Sequence, residues 1–170
     1  MNTKLEKALN EQINAEFYSS YLYLAMSAHF ETAGLPGCAR WMQAQAQEEW
    51  FHGMKFYGFV HERGGRVELK AIAAPPAKWT STLAVFENVL AHEQKVTGRI
   101  NDLMDLALKE KDHATTIFLQ WFVSEQVEEE AGVGAILGKL RLIGKDSGGL
   151  FALDNELGRR VFTPPPQEQE

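Results

Sequence analysis

Glu49 and His52 stand three residues apart in a stretch with helical periodicity and no proline, so both project from one side of a helix, about one turn apart. Their neighbours on that side are Met42, Phe56 and Val60, all core-type residues. A carboxylate and an imidazole on such a stripe are costly to bury unless something pairs with them. Carboxylates with one imidazole suit Fe(II), Mn(II) or Zn(II). A single Glu-x-x-His pair is common on protein surfaces, so the inference depends on whether other helices bring matching groups.

They do, at matching intervals. Glu16 lies 33 residues before Glu49 and 36 before His52, and Glu93 lies 33 before Gln126 and 36 before Glu129. A shift of 77 carries Glu16, Glu48, Glu49 and His52 onto Glu93, Glu125, Gln126 and Glu129. The chain therefore reads as two similar helical hairpins, each contributing one polar group from its first helix and a polar pair from its second. Di-iron and di-manganese carboxylate bundles use this arrangement. One departure stands out: the second half has Gln-x-x-Glu where a symmetric site would have Glu-x-x-His.

The elements that must position these groups can be read from periodicity and punctuation. The first helix spans about 3–33 and stops at Gly34-Leu35-Pro36-Gly37. Leu5, Leu9, Ile13, Tyr23 and Phe30 form a stripe that contains Glu16. Phe17, Tyr18, Tyr21, Leu22, Ala25 and Met26 occupy its other sides, and a helix apolar on most sides is buried on most sides. A four-helix bundle alone would not cover them all, which predicts subunit contacts. The second helix, about 38–63, ends at Gly64-Gly65. Folding this hairpin about Gly34 sets His52 level with Glu16, because their mean position is 34.

Arg66 to Thr80 contain Pro75-Pro76 and no sustained period. Extended, such a segment spans at most about 50 Å, enough to run along a helix of roughly 39 Å, which predicts a crossover connection. The third helix, about 82–111, has the stripe Phe86, Val89, Leu90, Val96, Ile100, Met104 and Ala107 with Glu93 at its centre. A turn at Lys111-Asp112-His113 follows, and 111 is the mean of 93 and 129, so the first hairpin's geometry recurs. In the fourth helix, about 114–143, Gln126 and Glu129 continue the stripe of Leu119, Phe122, Val133 and Leu137. Gly132, Gly134 and Gly138 each weaken it by roughly 1 kcal/mol relative to Ala, which predicts a kink or a close helix contact. A short apolar helix, about 149–160, with Leu150, Phe151, Leu153, Leu157 and Val161 as its apolar residues, must dock on something to be stable. The expected architecture is all-α: one domain over 1–162, a four-helix bundle with one long crossover connection plus a short fifth C-terminal helix. Residues 163–170 read as a disordered tail.

A formal net charge of −6 argues against nucleic acid as a main partner and leaves no polybasic anchor for a membrane. The single cysteine, Cys38, excludes an intrachain disulfide framework and a multi-cysteine metal site. The N-terminus lacks the apolar core of a signal peptide, and no 18-residue apolar run exists, so the expected location is cytoplasmic.

With the ligand set, the crossover and the fifth helix together, the sequence resembles a prokaryotic non-haem ferritin of the ferritin-like di-iron carboxylate superfamily. The resemblance extends to about Phe162, and its specific part is Glu16, Glu49-x-x-His52, Glu93 and Ser124-Glu125-Gln126-Val127-Glu128-Glu129. It implies iron storage and detoxification by a ferroxidase that oxidises Fe(II) with O2 or H2O2 and deposits a ferric mineral. It also implies a hollow homo-oligomeric shell of about 24 subunits, with the fifth helix around fourfold axes. Carried across, Glu16, Glu49 and His52 would bind a first iron. Glu49, Glu93 and Glu129 would bind a second, with Glu49 bridging and Gln126 supplying a hydrogen bond. A third, weaker iron position would fall on Glu48, Glu125, Glu128 and Glu129, whose other reading is a charged helix surface facing the cavity. Tyr23 matches the tyrosine beside the family's centre, with a hydrogen-bonded core tyrosine as the alternative; Trp121 is similar. Trp50 follows Glu49 where bacterioferritins carry a Met haem ligand, so the implied cofactor is iron without haem, with Met54 left as another methionine on that helix. The alternative function is a di-iron oxidoreductase or peroxidase of rubrerythrin-like type without storage. Rubrerythrins, however, carry a C-terminal rubredoxin with paired cysteines, which this chain lacks.

Overall fold

The computed structural model describes residues 1–164. Their regular elements are helices: α1 (Thr3–Ala33), α2 (Pro36–Glu62), α3 (Thr82–Lys109), α4 (His113–Ile143) and α5 (Ser147–Leu157). Each long helix is bounded by local chemistry. The Asn2 side chain accepts from the Lys4 amide at the start of α1, and Gly34 ends it at φ 75, a conformation that costs glycine little. α2 starts two residues earlier than the expected Cys38 because Pro36 fits the first turn, where its missing N–H was an orphan anyway. Ser81 and Asp112 cap α3 and α4 by accepting from Ala84 and Thr115 amides. Asp112 is also held by Arg63 at 2.9 Å, and that guanidinium draws its carboxyl down to about 2.

The α2–α3 connection is the expected crossover, and hydrogen bonds rather than secondary structure hold it to α1. Asn10 donates to the Arg66 carbonyl at 2.9 Å and accepts from the Glu68 amide at 2.7 Å. Asn14 donates to the carbonyls of Lys70 and Ala71, and Lys70 pairs with Glu11. Further on, the Trp79 ring packs edge-on against His29 at 5.4 Å, and its indole N–H donates to Asn88 at 3.0 Å. The anchors rise along α1 from Asn10 to His29, so the connection climbs beside α1. α3 therefore begins at the end of the bundle where α1 stops.

The apolar core is divided in two. One cluster gathers Tyr23, Met26, Phe30, Met42, Phe86, Val89 and Leu137; the other gathers Leu5, Leu9, Ile13, Phe56, Ile100, Leu119 and Phe122. Between them, by position along every helix, lies the layer of Glu16, Glu49, His52, Glu93, Gln126 and Glu129, all buried. Outside, α1 buries Leu22 and Met26 but leaves Tyr21 and Leu24 about half exposed, alongside Trp50 and Met54 of α2. Gly132, Gly134 and Gly138 lie on exposed faces of a continuous α4, with no neighbouring atom within 4 Å of where a Cβ would stand. The expected close helix contact is therefore absent among the described residues. A glycine lowers helix propensity, but nothing in that reveals which face it occupies. No helix among the described residues is long and apolar enough to cross a membrane. Of the expected tail, Thr163 and Pro164 are non-helical, and the remainder lies outside the described residues.

α5 docks through Leu153 and Leu157 and through one buried acid. Asp154 accepts from the amides of Gly37 at 3.0 Å and Cys38 at 2.7 Å. The N-terminus of α2 has no side-chain cap of its own, so a residue more than a hundred positions away supplies it. Closeness is part of the device, since a Cβ on Gly37 would lie 1.7 Å from the Asp154 carbonyl oxygen. Asp154→Ala is expected to cost about 1–3 kcal/mol in urea unfolding, and Gly37→Ala to free α5 for cleavage in limited proteolysis. Wild-type behaviour of both variants would show that α5 is held by its leucines alone.

Candidate metal centre

Two helices bring three donors together first. Glu16 of α1 and Glu49 and His52 of α2 each offer one ligand atom, all within 4.8 Å of one another. The His52 ring is wedged edge-on against Trp121 at 5.3 Å and Phe122 at 5.8 Å, so α4 fixes its orientation. His52 Nδ1 lies 3.5 Å from Glu49 Oε2, too long for a strong hydrogen bond. Two atoms are left over: among the described residues, nothing hydrogen-bonds to buried Glu16 Oε2 or buried His52 Nε2. Orphaned polar atoms of this kind cost about 1–3 kcal/mol each. A shared cation would satisfy both, and one imidazole with two carboxylates is a donor set that fits one.

The second half of the layer is held differently. The Tyr23 hydroxyl donates to Glu93 Oε1, and Gln126 Nε2 donates to Glu93 Oε2 and to its carbonyl, both at 3.2 Å. Gln126 thus reaches across from α4 to the Glu93 side chain and backbone of α3. Glu129 accepts from Gln45 Nε2 at 2.8 Å. Among the described residues, no three-donor cluster as tight as the first includes Glu93 or Glu129. Trp121 meets the site through the His52 ring.

Burial sets the electrostatics of the layer. It holds the carboxyls of Glu16 and Glu49 well above the usual range, reinforced by Glu49 at Glu16 and by Glu93 and Glu129 at Glu49. Burial also raises Glu93, against the pull of hydrogen bonds from Tyr23 and Gln126. Glu129 is pushed up to about 8 by burial, then by Glu93 and Glu48. The Tyr23 phenol is likewise held well above its ordinary value, first by burial and then by the Glu93 charge, so it remains a donor. Four acids that resist ionising together form a site waiting for positive charge.

The ferritin-like domain model matches residues 6–143, which span α1 to α4. The chain belongs to the ferritin family, on its prokaryotic non-haem branch. It is 45% identical over 162 residues to the bacterial non-heme ferritin of Staphylococcus saprophyticus, covering 95% of this chain and 97% of that one. The corresponding protein of Staphylococcus aureus is 40% identical over 162 residues, covering 95% and 98%. Among solved structures, a closed form of the Archaeoglobus fulgidus ferritin made by site-directed mutagenesis superposes with a TM-score of 0.95 at 55% identity, covering 96% of this chain and 99% of that one.

Against the ferritin frame, the acidic residues beyond the buried layer separate into two groups. Glu48 and Glu125 come together with His52, their donor atoms again within 4.8 Å. Glu128 is exposed and only lines the same cavity, of about 260 Å3, with Glu129 behind it. Burial raises the Glu125 carboxyl, opposed by His52 and reinforced by Glu48.

Gln12 and Gln45 are not among the residues expected from sequence, yet both are buried in the layer. Gln12 Nε2 donates to Glu16 Oε1 at 2.7 Å, and Gln45 Nε2 donates to Glu49 Oε1 at 3.3 Å as well as to Glu129. Each sits four residues before its acid, one helical turn away. A signal existed: the shift of 33 that carries Glu16 onto Glu49 also carries Gln12 onto Gln45. An arginine backs each amide oxygen, Arg99 at Gln12 (3.3 Å) and Arg160 at Gln45. Those partners come from α3 and from beyond α5, where no local period could have indicated them.

Proposed function

We propose that the chain is a ferroxidase and iron store whose substrate is Fe(II). The observation that carries the reading is the pair of orphaned, buried atoms, Glu16 Oε2 and His52 Nε2, converging with Glu49. Glu16, Glu49 and His52 bind the first Fe(II). Glu93 and Glu129 bind the second, with Glu49 shared between the two. Tyr23 and Gln126 keep Glu93 oriented, and Gln45 keeps Glu49 and Glu129 from turning away. Each Fe(II) gives up one electron, so the pair reduces one O2, with two protons, to H2O2, or one H2O2, with two protons, to two waters. Carboxylate oxygens are hard and charged, so they favour the more charged ferric product and lower the cost of oxidation. The carboxyls held protonated by burial give up their protons as Fe(II) binds, so uptake is accompanied by proton release. The ferric product then passes toward Glu48, Glu125 and Glu128, a third and weaker position, and on to a mineral inside a shell of about 24 subunits. The exposed apolar residues Tyr21, Leu24, Trp50 and Met54 support such an assembly.

The test is Fe(II) binding and oxidation with Glu93→Ala beside wild type. Anaerobic titration of wild type is expected to saturate at two Fe(II) per high-affinity centre in each subunit, and aeration to give a fast oxidation phase that the variant lacks while its shell stays intact. Unchanged kinetics in the variant would remove Glu93 from the site. Sizing chromatography separates storage from the alternative: a monomer or dimer would identify a non-storage di-iron oxidoreductase using the same ligands.

A further inference from the structure

Arg160, just past α5, is tied at three points. One arm of its guanidinium donates to Gln45 Oε1 and the other to Glu48 Oε2, and its central carbon lies 4.6 Å from the centroid of the Trp41 ring. Together these ties hold a positive charge on the wall of the acidic cavity that Glu48, Glu125, Glu128 and Glu129 share. Gln45 is fully buried. A glutamine amide can turn end for end, but a guanidinium on its oxygen leaves only the NH2 to face the buried acids. That NH2 donates to Glu129 and Glu49. An arginine from the C-terminal segment therefore sets the direction of two carboxylates it never touches.

Its second tie concerns the way out. Glu48 is claimed twice, by Arg160 and by the cluster it forms with His52 and Glu125. A dication settling on that cluster must take the Glu48 carboxylate from Arg160 or share it against like-charge repulsion. The fork of Arg160 spans Gln45, which serves the buried centre, and Glu48, which serves the cavity. Loss of one contact loosens the other.

We propose that Arg160 is a positioning residue for the buried centre and a cationic bolt on the passage of divalent cations between that centre and the acidic cavity. This rests on the cation-binding reading of the site given above. The two roles separate by substitution. Arg160→Lys keeps the charge but loses the planar fork, whereas Arg160→Gln loses both.

The experiment uses the assembled, metal-free protein, titrated anaerobically with Co(II) and then mixed with excess chelator in a stopped-flow instrument. For Arg160→Gln, release of bound Co(II) is expected to quicken at least about tenfold, and affinity at the outer cluster to rise by a similar factor. The visible spectrum of Co(II) in the buried centre is expected to change in both variants, because Gln45 is no longer held by its oxygen. In Arg160→Lys, release stays within about threefold of wild type, since the charge remains. Release from Arg160→Gln within twofold of wild type overturns the bolt, and an unchanged spectrum in both variants overturns the positioning role. If Arg160→Gln does not assemble, Arg160→Met, which also lacks the charge, replaces it under the same release criterion, and the Arg160→Lys spectrum alone decides the positioning role. A wild-type protein that bound no Co(II) would instead overturn the cation-binding reading itself.

Discussion

A Glu49→Gln variant is expected to lose fast Fe(II) oxidation by at least about a thousandfold, equivalent to about 4 kcal/mol of barrier. In metal-free form above pH 7 it is also expected to melt at a higher temperature than wild type. Both effects have one cause. Glu49 meets Glu16 and His52 on one side, and through Gln45 it is linked to Glu129 on the other. No other residue of the layer has both connections, so in the proposed reading its carboxylate is the one two cations would share. An amide of the same shape fills the space but offers one neutral oxygen, so it cannot hold two cations or stabilise the ferric product. For the metal-free fold, however, the amide relieves strain: the carboxyl is buried, and Glu93 and Glu129 oppose its ionisation. Stopped-flow oxidation and differential scanning calorimetry on one preparation check the pair. A variant that oxidises Fe(II) at the wild-type rate would remove Glu49 from the centre, and one that melts lower would show that its charge is compensated by protein groups.

Metal-free wild type should lose stability as pH rises from about 4.5 to 8, the reverse of most proteins over the acidic half of that range. The sign follows from Glu129, whose folded carboxyl is raised to about 8 from an ordinary 4.5. Below 4.5 both folded and unfolded chains hold the proton, and no penalty exists. Between the two values the unfolded chain ionises while the folded one keeps its proton, so each pH unit costs roughly 1.4 kcal/mol. Above about 8 the penalty is complete and constant. Glu16, Glu49 and Glu93 shift in the same direction and add to the trend. Asp112 runs the other way, but its window lies between 3.8 and about 2, where falling pH removes the stability its Arg63 pairing gives. Dications compete with these protons, so the gain in melting temperature on adding Zn(II) should grow with pH and be accompanied by proton release. Calorimetry across pH 5 to 8 with and without Zn(II) checks this, and a Zn(II) increment that does not vary with pH would refute it.

The polar layer was legible in sequence because two simple periods define it. Residues three or four apart share a helix side, and folding a hairpin about its turn sets level the positions whose mean is that turn. Those rules align Glu16 with His52 about Gly34, and Glu93 with Glu129 about Lys111. The crossover followed from chain length and reach, and the fifth helix from its apolar residues. Helix bounds were less sharp, as at Pro36, where a proline read as part of a turn begins the helix.

Sequence by itself thus determined an all-α chain with acids and a histidine on apolar stripes at one shared level, and so the kind of ligand they fit. Tertiary structure alone decided which groups those acids meet. Tyr23 reaches Glu93 because α1 packs beside α3, Asp154 caps α2 because of the direction in which α5 docks, and Arg160 closes on Gln45 from 115 residues away. It also decided that Glu48 and Glu125 join His52 while Glu128 stays at the rim. The physical reason is that periodicity encodes the face of a helix, whereas partners across the bundle depend on rotation, tilt and docking direction, which many weak packing contacts set together.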